Sequence, residues 1–264
     1  MRIAGSRVLL TGATGGIGHA IARVLHARGA ELVLTGRRTE LLEPLVAELT
    51  GSSAIAADLT DPAEVDRLAR EAGHVDILVA NAALAGTGRL DSFTMAQIDR
   101  ALNVNLRAPI ALAHALSPAM IARHRGHLVF IGSLNSKAAT PQTCIYNATK
   151  FGLRGFAAAL RADLARNGVG VSSIFPGFIR DAGLFADSGA SLPPGVRTRS
   201  PEDVARAVAD AVERDRGEVD VAPLSLRVGT AFAGLAPGLA NSLSRRMGAE
   251  KIAAELAAGN VGKR

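Results

Sequence analysis

The chain has 264 residues, 48% of them hydrophobic and 20% charged, a balance that excludes disorder and suits one large globular domain or two small ones. Its 28 glycines and 11 prolines follow no repeating period, and its one cysteine, Cys144, excludes a disulfide framework and a cysteine-based zinc site. Thirty Lys and Arg against 24 Asp and Glu give +6, yet the arginines are scattered and aromatics reach only 3%, so nucleic acid is not an expected partner.

The residues before Val8 lead straight into an apolar run, with no signal-peptide h-region or cleavage site. No run approaches the 18 or more residues of a membrane span. A soluble, cytoplasmic protein without a transmembrane segment is the expectation. The basic pairs Arg245-Arg246 and Lys263-Arg264 leave a contact with an anionic surface open.

From there, short apolar runs alternate with longer segments of helical spacing. Strands are expected over 8–11, 32–35, 54–57, 77–80, 128–131, 169–175 and 218–222. Helices are expected over 17–28, 39–49, 62–72, 95–123, 148–166 and 201–214. The strands are apolar without alternation, which means burial on both faces and a parallel sheet clothed by helices. That pattern predicts a doubly wound, Rossmann-type α/β fold of about seven strands rather than a closed barrel of eight units.

No linker divides residues 1–222, which are expected to form one domain. Within it, 182–200 carries Gly183, Gly189, Pro193, Pro194 and Gly195 and is expected to be a mobile substrate loop rather than a boundary. The Ala-, Gly- and Leu-rich stretch 223–264 should form one or two amphipathic helices packed on the body or on another subunit.

Thr11-Gly12-Ala13-Thr14-Gly15-Gly16-Ile17-Gly18 follows the first strand and opens a helix. Glycines in that context allow a tight turn and close approach to a pyrophosphate held at the helix N-terminus. Gly12, Thr14, Gly16, Ile17 and Gly18 are the expected contacts. The spacing also admits Gly12, Gly15 and Gly18 as the functional set. At the end of the second strand, Gly36 stands where an NAD site wants a carboxylate, and Arg37 and Arg38 follow. A guanidinium can pair with a 2′-phosphate, so NADP(H) is favoured over NAD(H), unless the two arginines are ordinary surface charges.

Tyr146 is the only tyrosine, and Lys150 lies four residues on, on the same helix face. An adjacent ammonium lowers a phenol's pKa, as acid–base catalysis requires, although a surface pair would have the same spacing. Ser133 precedes Tyr146 by 13 positions, and Asn105 precedes Ser133 by 28. Cys144 is expected as a small packing residue. His124 and His127 are expected in solvent, and no histidine cluster has metal-ligand spacing, so no metal is expected. Gly132-Ser133 completes no G-x-S-x-G elbow, which argues against a hydrolase.

This Asn–Ser–Tyr–Lys order resembles the tetrad of the short-chain dehydrogenase/reductase family over residues 7–222. Tyr-x-x-x-Lys with an upstream Ser selects the shorter single-domain branch, whose glycine pattern is Gly12, Gly16 and Gly18, over the longer, epimerase-containing one. The resemblance implies that Tyr146 exchanges the proton at the substrate oxygen and that Lys150 lowers its pKa and holds the nicotinamide ribose. It gives Ser133 the substrate carbonyl and Asn105 a water that links Lys150 to solvent. Pro109, which has no N–H, would free the Asn105 carbonyl for that water, or simply start a new helix.

The same resemblance places Asp58 and Leu59 at the adenine, although Asp58 could be a helix-start residue. Asn81 and Ala82 fall at the adenosine ribose, and Ala80 and Ala83 depart from the family's NNAG element. Pro176, Gly177 and Ile179 fall beside the nicotinamide, and Asp181 replaces the threonine that touches its carboxamide. The implied activity is NADP(H)-dependent interconversion of a carbonyl and an alcohol. Leu184, Phe185 and Leu192 point to an apolar substrate. The family also implies a homodimer or homotetramer built on the helices 95–123 and 151–166. The alternative is a non-catalytic NADP-binding scaffold.

Overall fold

Seven strands carry the fold: β1 (Arg7–Thr11), β2 (Glu31–Gly36), β3 (Ser53–Ala56), β4 (Ile77–Ala80), β5 (Gly126–Ile131), β6 (Val169–Pro176) and β7 (Glu218–Val221). The structure is a computed structural model that describes residues 1–192, 196–246 and 249–263. Pro193, Pro194, Gly195 and Arg264, and the side chains of Arg245, Arg246 and Lys263, lie outside the described residues. The strands form one sheet in the order β3-β2-β1-β4-β5-β6-β7, every neighbouring pair parallel. The helices are α1 (Gly16–Ala27), α2 (Thr39–Glu48), α3 (Pro62–Glu71), α4 (Met95–Leu102), α5 (Ala108–Ala122), α6 (Cys144–Leu164), α7 (Gly183–Ala186), α8 (Pro201–Arg214), α9 (Leu224–Leu235), α10 (Pro237–Arg246) and α11 (Ala249–Gly259).

Successive side chains of a strand face opposite sides of the sheet. Val8 and Leu10 of β1 therefore enter one core and Leu9 the other, and Leu32, Leu34 and Val33 of β2 divide in the same way. The first core is closed by α1, α2 and α8 through residues such as Ile21, Leu45 and Val208. The second is closed by α3, α5 and α6 through Leu68, Leu112 and Leu153. The predominantly apolar runs at the centre of the sheet are what cover on both faces requires, the edge strands β3 and β7 being less buried, and all seven expected strands form.

The stretch 95–123 is not one α-helix. Between α4 and α5 the chain widens into a π-turn over Asn103–Arg107, where the Ala108 N–H donates to the Asn103 carbonyl. Pro109 has no N–H to give the Asn105 carbonyl four residues back, so the α-register cannot hold there, yet the helix does not break. Helix α6 starts at Cys144, four residues earlier than expected, which puts Tyr146 in its first turn. Among the described residues three α-helices, not one or two, follow β7.

Candidate active site

From β1 the chain builds outward to β3, then crosses to β4 on the other side, so a crevice opens at the C-terminal ends of β1 and β4. A cleft of about 500 Å³ lies there. Every expected cofactor contact lines it, as do Ser133, Tyr146 and Lys150, whereas Asn105 does not.

The glycine turn at its floor separates the two spacings. A Cβ on Gly12 would lie 2.8 Å from Ala82 Cα, one on Gly18 only 2.1 Å from the Gly12 carbonyl oxygen, and one on Gly16 2.4 Å from Ala182 Cβ. A Cβ on Gly15 would meet nothing closer than 3.6 Å. Gly12, Gly16 and Gly18 are thus the crowded set, and Gly12 also needs its φ of +66°. Asn81 braces the turn by donating from Nδ2 to the carbonyls of Thr11 and Gly12, both at 3.1 Å. The Thr11 hydroxyl accepts from the backbone N–H groups of Asn81 and Ala82.

Arg37 and Arg38 are exposed at the cleft edge, and among the described residues neither is in an ion pair. The cap of α3 is Asp61, not Asp58. Asp58 accepts the Thr60 N–H at 3.0 Å through Oδ1 and keeps its place on the cleft wall.

Strand β5 ends at Ile131 and delivers Ser133, while α6 brings Tyr146 and Lys150 on one face. Gly86 seats the start of α6: its carbonyl accepts the Tyr146 N–H at 3.1 Å, and a Cβ there would lie 2.7 Å from that nitrogen. Ser133 Oγ accepts the Asn135 N–H at 3.2 Å, and it lines the same cleft as the Tyr146 phenol. Burial pushes the Tyr146 phenol up to about 12, against the pull of Ser133. Lys150, 2% exposed, gives one of its three protons to the Ile131 carbonyl at 2.9 Å. Burial brings its ammonium down to about 8. The expected lowering of the phenol by Lys150 is therefore reversed. Nζ stands 5.7 Å from the ring centre, and desolvation of the hydroxyl dominates.

Asn105 is fully buried in a bracing role. Its Oδ1 accepts the Leu84 N–H at 2.7 Å, and its Nδ2 donates to the Leu84 carbonyl at 3.0 Å. It thereby ties the segment after β4 to the π-turn.

The far wall departs from expectation. Asp181, at φ +67°, carries a side chain 72% exposed beside Arg180 and does not line the cleft, so it makes no substitute for a carboxamide contact. Leu184 and Phe185 line the cleft but Leu192 does not. The closing wall is α11, through Ile252, Ala253 and Leu256, with Asn260 directly after it, none of which the sequence signalled. Asn260 is fully buried, and its Nδ2 donates to the Leu184 carbonyl at 3.1 Å. Glu255 accepts the Ser191 N–H at 3.0 Å, so α11 holds the loop after β6 at two points. Cys144 is exposed rather than packed, because it opens α6 at the surface. His127 is buried rather than solvated, being part of β5. Among the described residues no cluster of His, Cys, Asp and Glu could hold a metal ion.

The cleft fits a dinucleotide: three glycine positions admit no side chain, and a buried ammonium has protons left to give. Comparison with known proteins agrees. The short chain dehydrogenase family model matches residues 6–191. "Dehydrogenase/reductase SDR family member 7B" of Mus musculus is 35% identical over 88% of this chain and 78% of its own length. A short-chain dehydrogenase from Sphingobium yanoikuyae, solved in complex with NADPH, superposes with a TM-score of 0.77 at 29% identity, covering 89% of this chain and 94% of that one. A metagenomic short-chain oxidoreductase in complex with NADP gives a TM-score of 0.69 at 32% identity over 84% and 98% of the two chains. With the parallel sheet and the crowded glycine turn, these matches make the chain a member of the short-chain dehydrogenase/reductase family and an oxidoreductase.

Proposed function

We propose that the chain is an NADP(H)-dependent enzyme that interconverts a carbonyl and an alcohol on an apolar small molecule, with Tyr146 as acid and base. The observation that carries this reading is Ser133, Tyr146 and a buried Lys150 gathered on one cleft wall, with Lys150 one helical turn from Tyr146. When bound in the cleft, the dinucleotide would supply the hydride that reduces the carbonyl carbon. Ser133 polarises the carbonyl oxygen, and Tyr146, protonated at neutral pH, gives that oxygen its proton. Lys150 stabilises the tyrosinate left behind and holds ribose hydroxyls with its remaining protons. Asn105 is a positioning residue that keeps the π-turn against the segment after β4.

Arg37 and Arg38, unpaired at the cleft edge, support the choice of NADP(H). Leu184, Phe185, Ile252 and Leu256 support an apolar substrate. Residues 1–222 form the catalytic domain in this reading, and 223–264 are its helical extension. A single free cysteine suits the cytoplasm. The exposed faces of α4 to α6 suit a homodimer or homotetramer.

The test is NADPH consumption over a panel of apolar ketones and aldehydes. Tyr146→Phe should lose at least ~100-fold in turnover with NADPH affinity unchanged. Replacing Arg37 and Arg38 together with Ala should cost NADPH roughly 10- to 100-fold in kcat/KM and leave NADH nearly unaffected. Full activity of Tyr146→Phe, or a native preference for NADH, would overturn the respective assignment. A Gly36→Asp swap is a poorer test than the sequence indicates, because a Cβ at 36 would lie 2.9 Å from Thr14 Cγ2.

A further inference from the structure

Helix α9 buries none of its 12 residues, although seven of them are Leu, Val, Phe or Ala. Leu224, Val228, Phe232 and Leu235 are exposed, Leu235 by 87%, and Leu239 of α10 continues the series. At about 100° per residue, the four in α9 fall within an arc of roughly 80°. Five of the ten exposed large hydrophobic side chains among the described residues lie in this one stretch, so it is a built face rather than scatter. The opposite side of the helix rests on the body, where Leu226 lies beside Gly177.

Three features decide what covers the face. Residues 224–246 contain Arg227, Arg245 and Arg246 and not one carboxylate. Arg227 is half exposed at the border of the apolar arc, its ion pair with Asp220 a long 3.9 Å. A second copy would bring this basic, acid-free segment against itself, whereas an anionic lipid surface neutralises its charge. Secondly, Thr230 Oγ1 donates to the Leu226 carbonyl at 2.7 Å and Ser242 Oγ to the Gly238 carbonyl at 3.0 Å. Hydroxyls turned onto their own helix leave little for a protein partner to bond and lower the cost of contact with lipid. Thirdly, α9 and α10, of 12 and 10 residues, are far short of the roughly 20 needed to cross a bilayer. No helix among the described residues is long and apolar enough to do so.

We propose that α9 and α10 form an interfacial docking surface for anionic membranes, with Leu224, Val228, Phe232, Leu235 and Leu239 entering the headgroup–acyl boundary and Arg227 at its border meeting lipid phosphates. The proposal is independent of the substrate and of the catalytic reading. It is tested by flotation of the full chain with vesicles of phosphatidylcholine alone or with about one third phosphatidylglycerol. Binding should require the anionic lipid and weaken at high salt. Val228→Glu with Leu235→Glu should lower the partition coefficient at least ~10-fold while the melting temperature stays unchanged, since both side chains are exposed. Arg245→Gln with Arg246→Gln should lower it on anionic vesicles alone. Equal recovery with and without anionic vesicles would overturn the proposal. So would light scattering in which Val228→Glu with Leu235→Glu dissociates the native assembly, because a second copy would then be the occupant.

Discussion

Tyr146 and Lys150 lie one helical turn apart, and burial moves both toward their neutral forms: the phenol up to about 12, the ammonium down to about 8. At neutral pH both still carry their protons. Reduction consumes the phenol proton, and the charge left on Tyr146 is best tolerated while Lys150 is an ammonium. The turnover of carbonyl reduction should therefore be level below about pH 8 and fall above it. Lys150→Gln should lower the plateau and remove that limb. A rate that climbs through pH 8 in the native enzyme would contradict the assignment. The identities of these residues could be read in the sequence because Tyr, Lys and Ser recur there at diagnostic distances. The direction of their pKa values could not, since depth in a cleft is set by segments far away in the chain. The glycine turn shows the same division. Sequence admits Gly15 or Gly16 as the functional member, and only the approach of Ala182 to within 2.4 Å of a Cβ on Gly16 separates them.

Elements divide in a comparable way. The central strands are readable because each must be apolar on two faces, whereas the edge strands β3 and β7 are partly exposed, and α8 is readable from its Ser200–Asp203 capping box with Pro201 in the first turn. Helix α11 has no such signal for its role, since its contacts join Asn260 to Leu184 across 76 positions. Its seat has one steric requirement: a Cβ on Gly259 would lie 2.0 Å from the Ser188 carbonyl oxygen. Gly259→Val should lift α11 from the loop after β6 and raise the substrate KM several-fold, with little change in NADPH affinity. An unchanged KM would remove α11 from the substrate wall. Between strands, His127 of β5 is 1% exposed, with Nε2 2.8 Å from Ser172 Oγ of β6. The Ser172 hydroxyl donates to the Arg216 carbonyl, so Nε2 carries the imidazole proton and Nδ1 stays bare. Burial holds the ring's pKa down at about 4, below its ordinary 6.5. The unfolded chain then binds the extra proton first, and stability falls as pH drops from 6.5 toward 4. At roughly 1.4 kcal/mol per pH unit, that window is worth about 3 kcal/mol. His127→Asn should flatten the dependence of melting temperature on pH within it, and an unaltered slope would assign the acid sensitivity elsewhere.

At the scale of the whole molecule, two apolar surfaces stand out as uncovered among the described residues, and they differ in kind. The α9–α10 face is apolar and its segment 224–246 is free of acids, whereas the face of α4 to α6 combines a few large side chains with many small ones. Met95 and Leu102 of α4 and Phe151 of α6 are exposed. Around them Ala115 and Ala119 of α5, and Gly155, Ala158 and Ala159 of α6, leave helix surfaces flat enough for close approach. A Cβ on Gly155 would meet no atom within 4 Å inside the protomer. Such a face suits pairing about a two-fold axis, in which α5 and α6 pack on their copies. It would also stiffen α6, whose first two turns carry Tyr146 and Lys150. The native chain should accordingly scatter light as a dimer or tetramer at micromolar concentration. Phe151→Glu with Gly155→Glu, both at exposed positions, should yield a folded monomer whose turnover is reduced although no residue of the cleft has changed. A monomeric native protein, or an assembly that survives both charges, would place the contact on another face.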